Sequence, residues 1–334
     1  MIWLTWRQFR TQALVGAVLL AVVAAALLAT APGLFDRYHD SGFAGCATGC
    51  AQLAQAFTDD VLRGATKTFY RVGVAVLFLL PALVGVFWGA PLVARELEAG
   101  THRLVWSQTI TRSRWLIVKL TGVGLAVILL TGLISLLVTW WSGPIDEAQG
   151  DRITPLLFAA RGVVPLGHAA LAFVIGVLTG LIARRAVLAM GITLLLVAAV
   201  QIAVPTLIRP LLASPVSSTA AFDPERIDGI SISNDSVMRV SLQPPVAGAW
   251  VLSNRTVDAR GDEFRGPADR TKCGREGSPE VCEGWLQAQN LRQEASYVPP
   301  GQFWSLQWRE LGVLAALTVL IAMFSFWWLR RRTT

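Results

Sequence analysis

The chain has few charged residues. Of its 334 residues only 15% are charged and 54% are hydrophobic, whereas soluble domains carry about 25% charged residues. This apolar excess is too large for one soluble core. It excludes an ordinary soluble protein and points to a membrane protein.

The sequence also lacks the common catalytic motifs. Each of the three lysines, Lys67, Lys119 and Lys272, follows a residue other than glycine, so no phosphate-binding P-loop is present. Neither an H-E-x-x-H motif nor a G-x-S-x-G motif occurs, and the three histidines lie far apart in the sequence. We therefore expect no enzyme activity, no metal and no cofactor in this chain.

The apolar residues are concentrated in long runs. A helix needs about 20 apolar residues to cross a bilayer, and six runs approach or exceed that length: 13–31, 72–94, 115–141, 163–183, 186–208 and 311–329. Pro81 and Pro91 should kink the second run. Lys119 lies near the start of the third run, where we expect its ammonium group to reach the membrane surface. The sequence predicts an all-α polytopic membrane protein with six transmembrane helices.

Basic residues indicate the orientation, because cytoplasmic loops are enriched in lysine and arginine. With a cytoplasmic N-terminus, the inner segments hold eleven arginines: Arg7, Arg10, Arg95, Arg103, Arg112, Arg114, Arg184, Arg185, Arg330, Arg331 and Arg332. The short outer loops hold more acids than bases. We predict a multi-pass protein of the bacterial plasma membrane with both termini cytoplasmic. This bias explains the net charge of +7 without a nucleic-acid partner.

The N-terminal segment 1–12 combines Trp3, Trp6 and Phe9 with Arg7 and Arg10. This pattern predicts an interfacial helix on the cytoplasmic side, or a short basic tail with aromatic anchors. The following run could be a signal peptide, but at about nineteen residues it exceeds the usual 7 to 15. We therefore interpret it as a membrane anchor, so that residues 13–208 hold helices one to five.

Residues 209–310 differ from the rest of the chain. They are rich in proline, glycine and charge, and short segments alternate like half-buried strands. We predict a small β-rich or mixed extracytoplasmic domain between helices five and six, followed by helix six and a basic tail at 311–334. All four cysteines lie in predicted outer segments, where thiols are usually oxidised. Three pairings are possible; local disulfides Cys46–Cys50 and Cys273–Cys282 are favoured, and a four-thiolate zinc site is the alternative.

A charged segment at 95–114, "RELEAGTHRLVWSQTITRSR", joins the second and third apolar runs. Together with the flanking spans, the Arg184-Arg185 hairpin and "PPGQFWSLQWRE" before the last run, it resembles ABC exporter permeases of the second type, most of all their actinobacterial members. The resemblance extends over the whole chain.

The resemblance implies that 95–114 is a cytoplasmic coupling loop that docks against a separate ATPase subunit, which binds ATP and Mg²⁺. The implied coupling residues are Glu96, Glu98, Gly100, Thr101, Leu104, Val105 and Trp106. Gly100 can end the second helix and Thr101 can cap a short transverse helix. The alternative is a basic loop that only obeys the positive-inside rule.

Two further patterns lie inside the spans. Gly85 with Gly89, and Gly176 with Gly180, have the spacing of close helix contacts, although such pairs also arise by chance. His168 and Gln201 lie about equally far from the Arg184-Arg185 turn. We expect a structural hydrogen bond between them rather than a substrate contact.

The interpretation that unites these features is the permease subunit of an ATP-driven ABC exporter, acting as a homodimer or with a paralogous permease in the lipid bilayer. The sequence does not identify its cargo, because amphipathic drugs, peptides and lipids all fit an apolar cavity with few charges. The alternatives are a membrane-anchored sensor or accessory protein that binds a ligand through its outer domain, and a membrane-embedded transferase.

Overall fold

A computed structural model describes residues 2–101, 111–233, 237–266, 269–273 and 278–332. The chain forms two compact units. The first comprises Met1–Leu212 and Phe303–Thr334, and the second comprises Ala213–Gln302.

The first unit is helical. Its helices are α1 (Ile2–Asp40), α2 (Ala51–Val61), α3 (Ala65–Val84), α4 (Ala90–Glu98), α5 (Arg112–Gln149), α6 (Pro155–Ala159), α7 (Val164–Ala183), α8 (Ala186–Ala203), α9 (Arg209–Leu212) and, after the second unit, α12 (Phe303–Arg332). A 3₁₀ turn, Phe43–Gly45, precedes α2.

Among the described residues, six stretches are long and apolar enough to cross a membrane. We call them spans 1 to 6: Phe9–Asp40, Ala65–Glu98, Arg112–Gln149, Val164–Ala183, Ala186–Leu212 and Pro300–Arg331. The predicted six-span helical plan is therefore confirmed.

Several spans are longer than the apolar runs that predicted them. α1 continues without a break through residue 12, so the predicted interfacial segment 1–12 and span 1 belong to one helix. Span 3 extends to Gln149 and span 6 begins at Pro300. Hydrophobicity alone underestimated the lengths of spans 3 and 6, because their helices continue past Asp146 and Glu310, which find partners inside the bundle.

Two spans contain a π-helical segment. Gly85–Gly89 joins α3 to α4 in span 2, and Val204–Ile208 joins α8 to α9 in span 5. Pro81 lies in the last turn of α3, and Pro91 lies in the first turn of α4, where its missing N–H costs least. Wider turns of this kind rearrange helical hydrogen bonding locally and are frequent at functional sites.

The two glycine pairs pack against each other and join spans 2 and 4. A Cβ atom added at Gly85 would lie 2.8 Å from the carbonyl oxygen of Ala172, and one at Gly89 would lie 2.5 Å from that of Phe173. A Cβ atom at Gly180 would lie 2.6 Å from the carbonyl oxygen of Ala90. Only glycine permits this backbone approach, so the spacing reflects a real interface.

We expect Gly176→Ala to destabilise the first unit. The added Cβ atom would lie 2.7 Å from the backbone nitrogen of Ala90, and overpacking of this kind costs about 1–3 kcal/mol. Thermal unfolding in detergent measures the effect. Gly191→Ala is the matched control, because a Cβ atom at Gly191 meets nothing within 4 Å. Equal melting temperatures for the two variants would contradict this interface.

The second unit is a small mixed domain. Its elements are β1 (Val216–Ala221), β2 (Ile227–Ile232), β3 (Met238–Leu242), β4 (Trp250–Val257), α10 (Arg270–Cys273), α11 (Pro279–Gln287) and β5 (Arg292–Val298), with 3₁₀ turns Pro224–Arg226 and Pro300–Gln302. One antiparallel sheet has the order β1-β5-β4, with Val216 opposite Tyr297 and Trp250 opposite Val298. β2 pairs antiparallel with β3.

The core of this unit contains Met238, Val240, Leu242, Leu286 and Leu291. The alternating burial of β3, in which Met238, Val240 and Leu242 are buried, follows the period of a strand with one covered face. The predicted small β region after the fifth helix is confirmed. Its bounds differ from the predicted 209–310, because 209–212 and 303–310 are helical and belong to the first unit.

Candidate functional site

The predicted coupling loop begins at the end of α4. Gly100 has φ of +70°, a conformation that terminates helices and suits glycine. The Thr101 hydroxyl donates a 3.4 Å hydrogen bond to the carbonyl oxygen of Glu96. The chain re-enters a helix at Arg112, where Thr111 Oγ1 accepts from the backbone N–H of Arg114. The predicted residues Leu104, Val105 and Trp106 lie outside the described residues.

Glu98 connects the end of span 2 to the start of span 5. Its Oε2 atom accepts a 2.9 Å hydrogen bond from the backbone N–H of Ala186, the first residue of α8. Arg185, the residue at the N-cap of α8, provides no side-chain capping bond. A carboxylate at this position satisfies an otherwise free N–H and interacts favourably with the helix dipole. Glu98 therefore caps a different span from the one that carries it.

Glu96 connects the same helix end to span 3. Its Oε1 atom lies 2.7 Å from Lys119 Nζ, and its Oε2 atom accepts a 3.0 Å hydrogen bond from Trp115 Nε1. Lys119 also donates to the carbonyl oxygen of Leu92. The expectation that Lys119 reaches the membrane surface is wrong, since only 2% of its side chain is exposed. The ammonium turns inward because Glu96 and a carbonyl oxygen offer it partners there.

Other contacts bring further segments to this end of the first unit. Arg330 Nε donates to Ser113 Oγ, which places the end of α12 beside the start of α5. Gln12 Nε2 donates to the carbonyl oxygen of Phe87, which ties α1 to span 2. The two ends of the coupling loop, the span 4–5 hairpin and the C-terminal part of span 6 therefore share one end, which we call the loop end.

Asp146 is the centre of a polar cluster at the opposite end. Arg161 Nε and Nη2 bind its two carboxylate oxygens at 2.6 and 3.2 Å, and Tyr70 and Ser142 donate to it at 2.7 and 2.9 Å. Arg161 and Asp146 are almost fully buried. The cluster joins spans 2 and 3 to the turn before span 4.

Asp151 follows this cluster and is partly buried between spans 3 and 4. Burial raises the pKa of its carboxyl group, and the nearby Asp146 raises it further. The buried Asp151 Oδ1 has no hydrogen-bond partner within the described part of the chain. The folded protein therefore binds a proton at Asp151 more readily than the unfolded chain does.

We expect Asp151→Asn to raise the melting temperature at neutral pH. Because the pKa of Asp151 is higher in the folded state, protonation of its carboxyl group stabilises the fold. This stabilisation is complete below the unfolded-state pKa of about 3.9 and is lost as the pH rises through the folded-state pKa. The gain from Asp151→Asn should therefore shrink as the pH is lowered towards 4. Thermal unfolding between pH 4 and 8 measures it, with exposed Asp59→Asn as the control. A gain that does not depend on pH would contradict this assignment.

Arg209 and Glu310 form a third buried ion pair, between spans 5 and 6. Arg209 Nε and Nη2 lie 2.7 and 3.0 Å from the two Glu310 oxygens, and neither side chain is exposed. Nearby, Gln307 Oε1 accepts from the backbone N–H groups of Val163 and Val164, 3.0 Å each. Gln307 thus caps span 4 from span 6, as Glu98 caps span 5 from span 2.

The structure gives His168 and Gln201, the predicted intramembrane pair, a separate partner each. His168 Nδ1 is 3.2 Å from the carbonyl oxygen of Val164, and Gln201 Nε2 donates to that of Phe78. The predicted hydrogen bond between the two side chains is therefore not formed, since each side chain bonds to a backbone carbonyl oxygen instead. Both side chains line one cavity of about 10 Å³ beside Arg209, room for about one water molecule.

The four cysteines form two disulfide bonds, Cys46–Cys50 and Cys273–Cys282. These are the two local pairs, so no thiolate remains for the zinc site that the sequence left open. The first bond closes the turn before α2, and the second joins α10 to α11.

Sequence reasoning missed the three buried ion pairs. Asp146 and Arg161 were counted as loop charges, and Arg209 and Glu310 were assigned to the outer domain. One signal was present for the pair Arg209 and Glu310: each directly adjoins an apolar run, where a charge must either reach water or find a partner.

A search of the curated proteins and a search of the solved structures found no match. Residues 17–209, more than half of the 334-residue chain, match the sequence model of the family described as ABC-2 membrane transporter related. This stretch covers most of spans 1 to 5, including Glu96, Glu98 and both glycine pairs. The chain is thus a multi-pass membrane protein that belongs to the ABC-2 membrane transporter related family.

Proposed function

We propose that this chain is the permease subunit of an ATP-driven ABC exporter and that its 95–114 loop couples it to a separate ATPase subunit. The family supports a transport role. The single observation that carries the coupling role is the pair of connections made by Glu96 and Glu98 at the base of the loop.

These connections would distribute a displacement of the loop. A movement of the end of α4 would pull span 3 through Lys119 and Trp115, and it would pull span 5 through Ala186. A packed element that moves as a rigid body transmits force to the helices bound to it. The glycine contact between spans 2 and 4 extends the same path to span 4.

The partner would supply the energy. ATP and Mg²⁺ would bind the ATPase subunit, and two permeases, identical or paralogous, would pair with two ATPases. Leu104, Val105 and Trp106 would provide the apolar contact surface, and each such anchor commonly contributes about 1–2 kcal/mol or more to an interface. The loop end would face the cytoplasm of a bacterial cell, with both termini there.

Co-purification tests the proposal directly. The full chain is co-expressed with candidate ABC ATPase subunits and reconstituted in lipid nanodiscs, and complex formation and ATP turnover are measured. We expect a stable complex whose assembly is lost when Val105 and Trp106 are both changed to alanine, whereas the chain alone hydrolyses no ATP. Stable folding in the membrane without ATPase binding would contradict the proposal and favour a sensor or accessory protein.

Topology provides a separate prediction. Because eleven arginines lie in the predicted inner segments, reporter fusions at Arg114 and Arg184 should give a cytoplasmic signal. Fusions at Gly150 and Gly261 should give an external signal and serve as the internal comparison. A cytoplasmic signal at Gly261 would contradict the proposed orientation.

A further inference from the structure

The small cavity beside Arg209 lies among spans 2, 4 and 5. His168 of span 4 and two residues of span 5, Gln201 and Arg209, provide its polar lining. Two of these side chains, His168 and Arg209, are buried. A buried water molecule needs a space of about this size and two to four polar partners, so we counted the hydrogen-bonding groups that the protein leaves free there.

Arg209 has donors to spare. A guanidinium group carries five N–H donors, and Arg209 gives two of them to Glu310 and one to the carbonyl oxygen of Pro155. No other described residue accepts from Arg209, so two N–H groups of a fully buried side chain remain. A buried donor without an acceptor is costly.

His168 and Gln201 have acceptors to spare. The carbonyl oxygen of Val164 can only accept, so the bonded His168 Nδ1 carries the hydrogen, and Nε2 of the neutral ring is left as an acceptor. Gln201 Nε2 donates to the carbonyl oxygen of Phe78, which leaves Gln201 Oε1 as an acceptor. No residue in the described ranges donates to either atom.

Two prolines add backbone acceptors at the same place. Pro81 of span 2 and Pro205 of span 5 both line the cavity. Proline lacks the N–H that would bond the carbonyl oxygen four residues earlier in a helix. These carbonyls belong to Leu77 and Gln201, which also line the cavity. In membrane helices ordered water is one of the groups that satisfy a carbonyl freed by proline.

We propose that this cavity binds one resident water molecule that links spans 2, 4 and 5. The water accepts from an Arg209 N–H and donates to two of the acceptors around it, namely His168 Nε2, Gln201 Oε1 and the two freed carbonyl oxygens. It completes the hydrogen bonding of the guanidinium group that Glu310 neutralises, at the turns where Pro81 and Pro205 interrupt their helices. The inference requires the folded bundle but not the proposed coupling to an ATPase.

Radiolytic labelling tests the site, because radicals formed from a bound water oxidise the side chains that touch it. The full-length chain in nanodiscs receives short X-ray pulses and is then digested and analysed by mass spectrometry. We expect oxidation of Leu77 and His168 and none of Phe173, which is also buried in span 4 but lies outside the cavity. After transfer to heavy-oxygen water, His168 should incorporate the heavy isotope more slowly than Leu252, an exposed residue of the second unit.

Ala159→Val should lower the oxidation of Leu77 and His168 severalfold, because Ala159 lines the cavity and the added methyl groups occupy it. Ala199→Val is the matched control, since it makes the same change at an exposed position of span 5 and should leave the labelling unchanged. Absence of oxidation at Leu77 and His168 in the wild type, or equal oxidation in Ala159→Val, would overturn the proposal. Equally fast isotope uptake at His168 and Leu252 would show that bulk water reaches the cavity and would also overturn it.

Discussion

Glu310→Ala is expected to destabilise the helical unit by about 3–5 kcal/mol, the usual cost of removing one partner from a buried ion pair. The change leaves the Arg209 guanidinium group, whose side chain is fully buried, without its carboxylate. One other bond to Arg209, from Nη1 to the carbonyl oxygen of Pro155 at 2.9 Å, cannot neutralise the charge. Thermal unfolding in nanodiscs measures the loss.

Two variants make this prediction specific. Arg209→Met combined with Glu310→Leu should recover much of the stability, because no unpaired charge then remains buried. Glu294→Ala removes one partner of the exposed Arg255–Glu294 pair and should cost less than about 1 kcal/mol. If Glu310→Ala were as mild as Glu294→Ala, the pair would not be buried as the structure has it.

Glu98→Ala is expected to separate ATP hydrolysis from transport while leaving expression and membrane insertion intact. The change removes the cap that joins the end of span 2 to Ala186 of span 5. Loss of a helix cap costs about 0.5–2 kcal/mol, and one or two kcal/mol shifts an equilibrium about 5- to 30-fold. Substrate-stimulated ATP turnover and export by the reconstituted complex measure the effect.

Glu98→Gln distinguishes two reasons for such a loss. Glutamine keeps an oxygen that can accept from the Ala186 N–H, so an internal cap predicts that this variant keeps much of its coupling. A charge that binds the ATPase predicts that both variants fail. Asp59→Ala, at an exposed position of α2, is the control. If Glu98→Ala kept full substrate-stimulated ATP turnover and full export, the coupling role would be contradicted, and the loop would only obey the positive-inside rule.

The two glycine pairs show how far spacing alone can predict packing. Their four-residue separation predicted close helix contacts, and the close approaches at Gly89 and Gly180 confirm them. The sequence did not say which helices would meet, because spacing describes one face of one helix. Only the folded bundle pairs Gly85 and Gly89 with the face of span 4.

Among the coupling residues, too, the sequence predicted a local feature but not the tertiary partners. Gly100 ends a helix because the left-handed conformation is a local requirement, and the sequence predicted that end. Glu96 and Glu98 were assigned to contacts with a partner, but the structure gives them partners at Lys119 and Ala186 within the chain. Local rules cannot predict such partners, since they depend on which spans lie side by side.

By itself the sequence determined the six spans, the small mixed domain after the fifth, and the family resemblance. Each rests on local properties, namely the length of apolar runs, composition and short motifs. The tertiary structure alone decided where the spans end and how their charges are neutralised. Arg209 and Glu310 are separated by 101 residues, and a charge remains in a helix inside an apolar bundle only when a distant segment brings its partner to it.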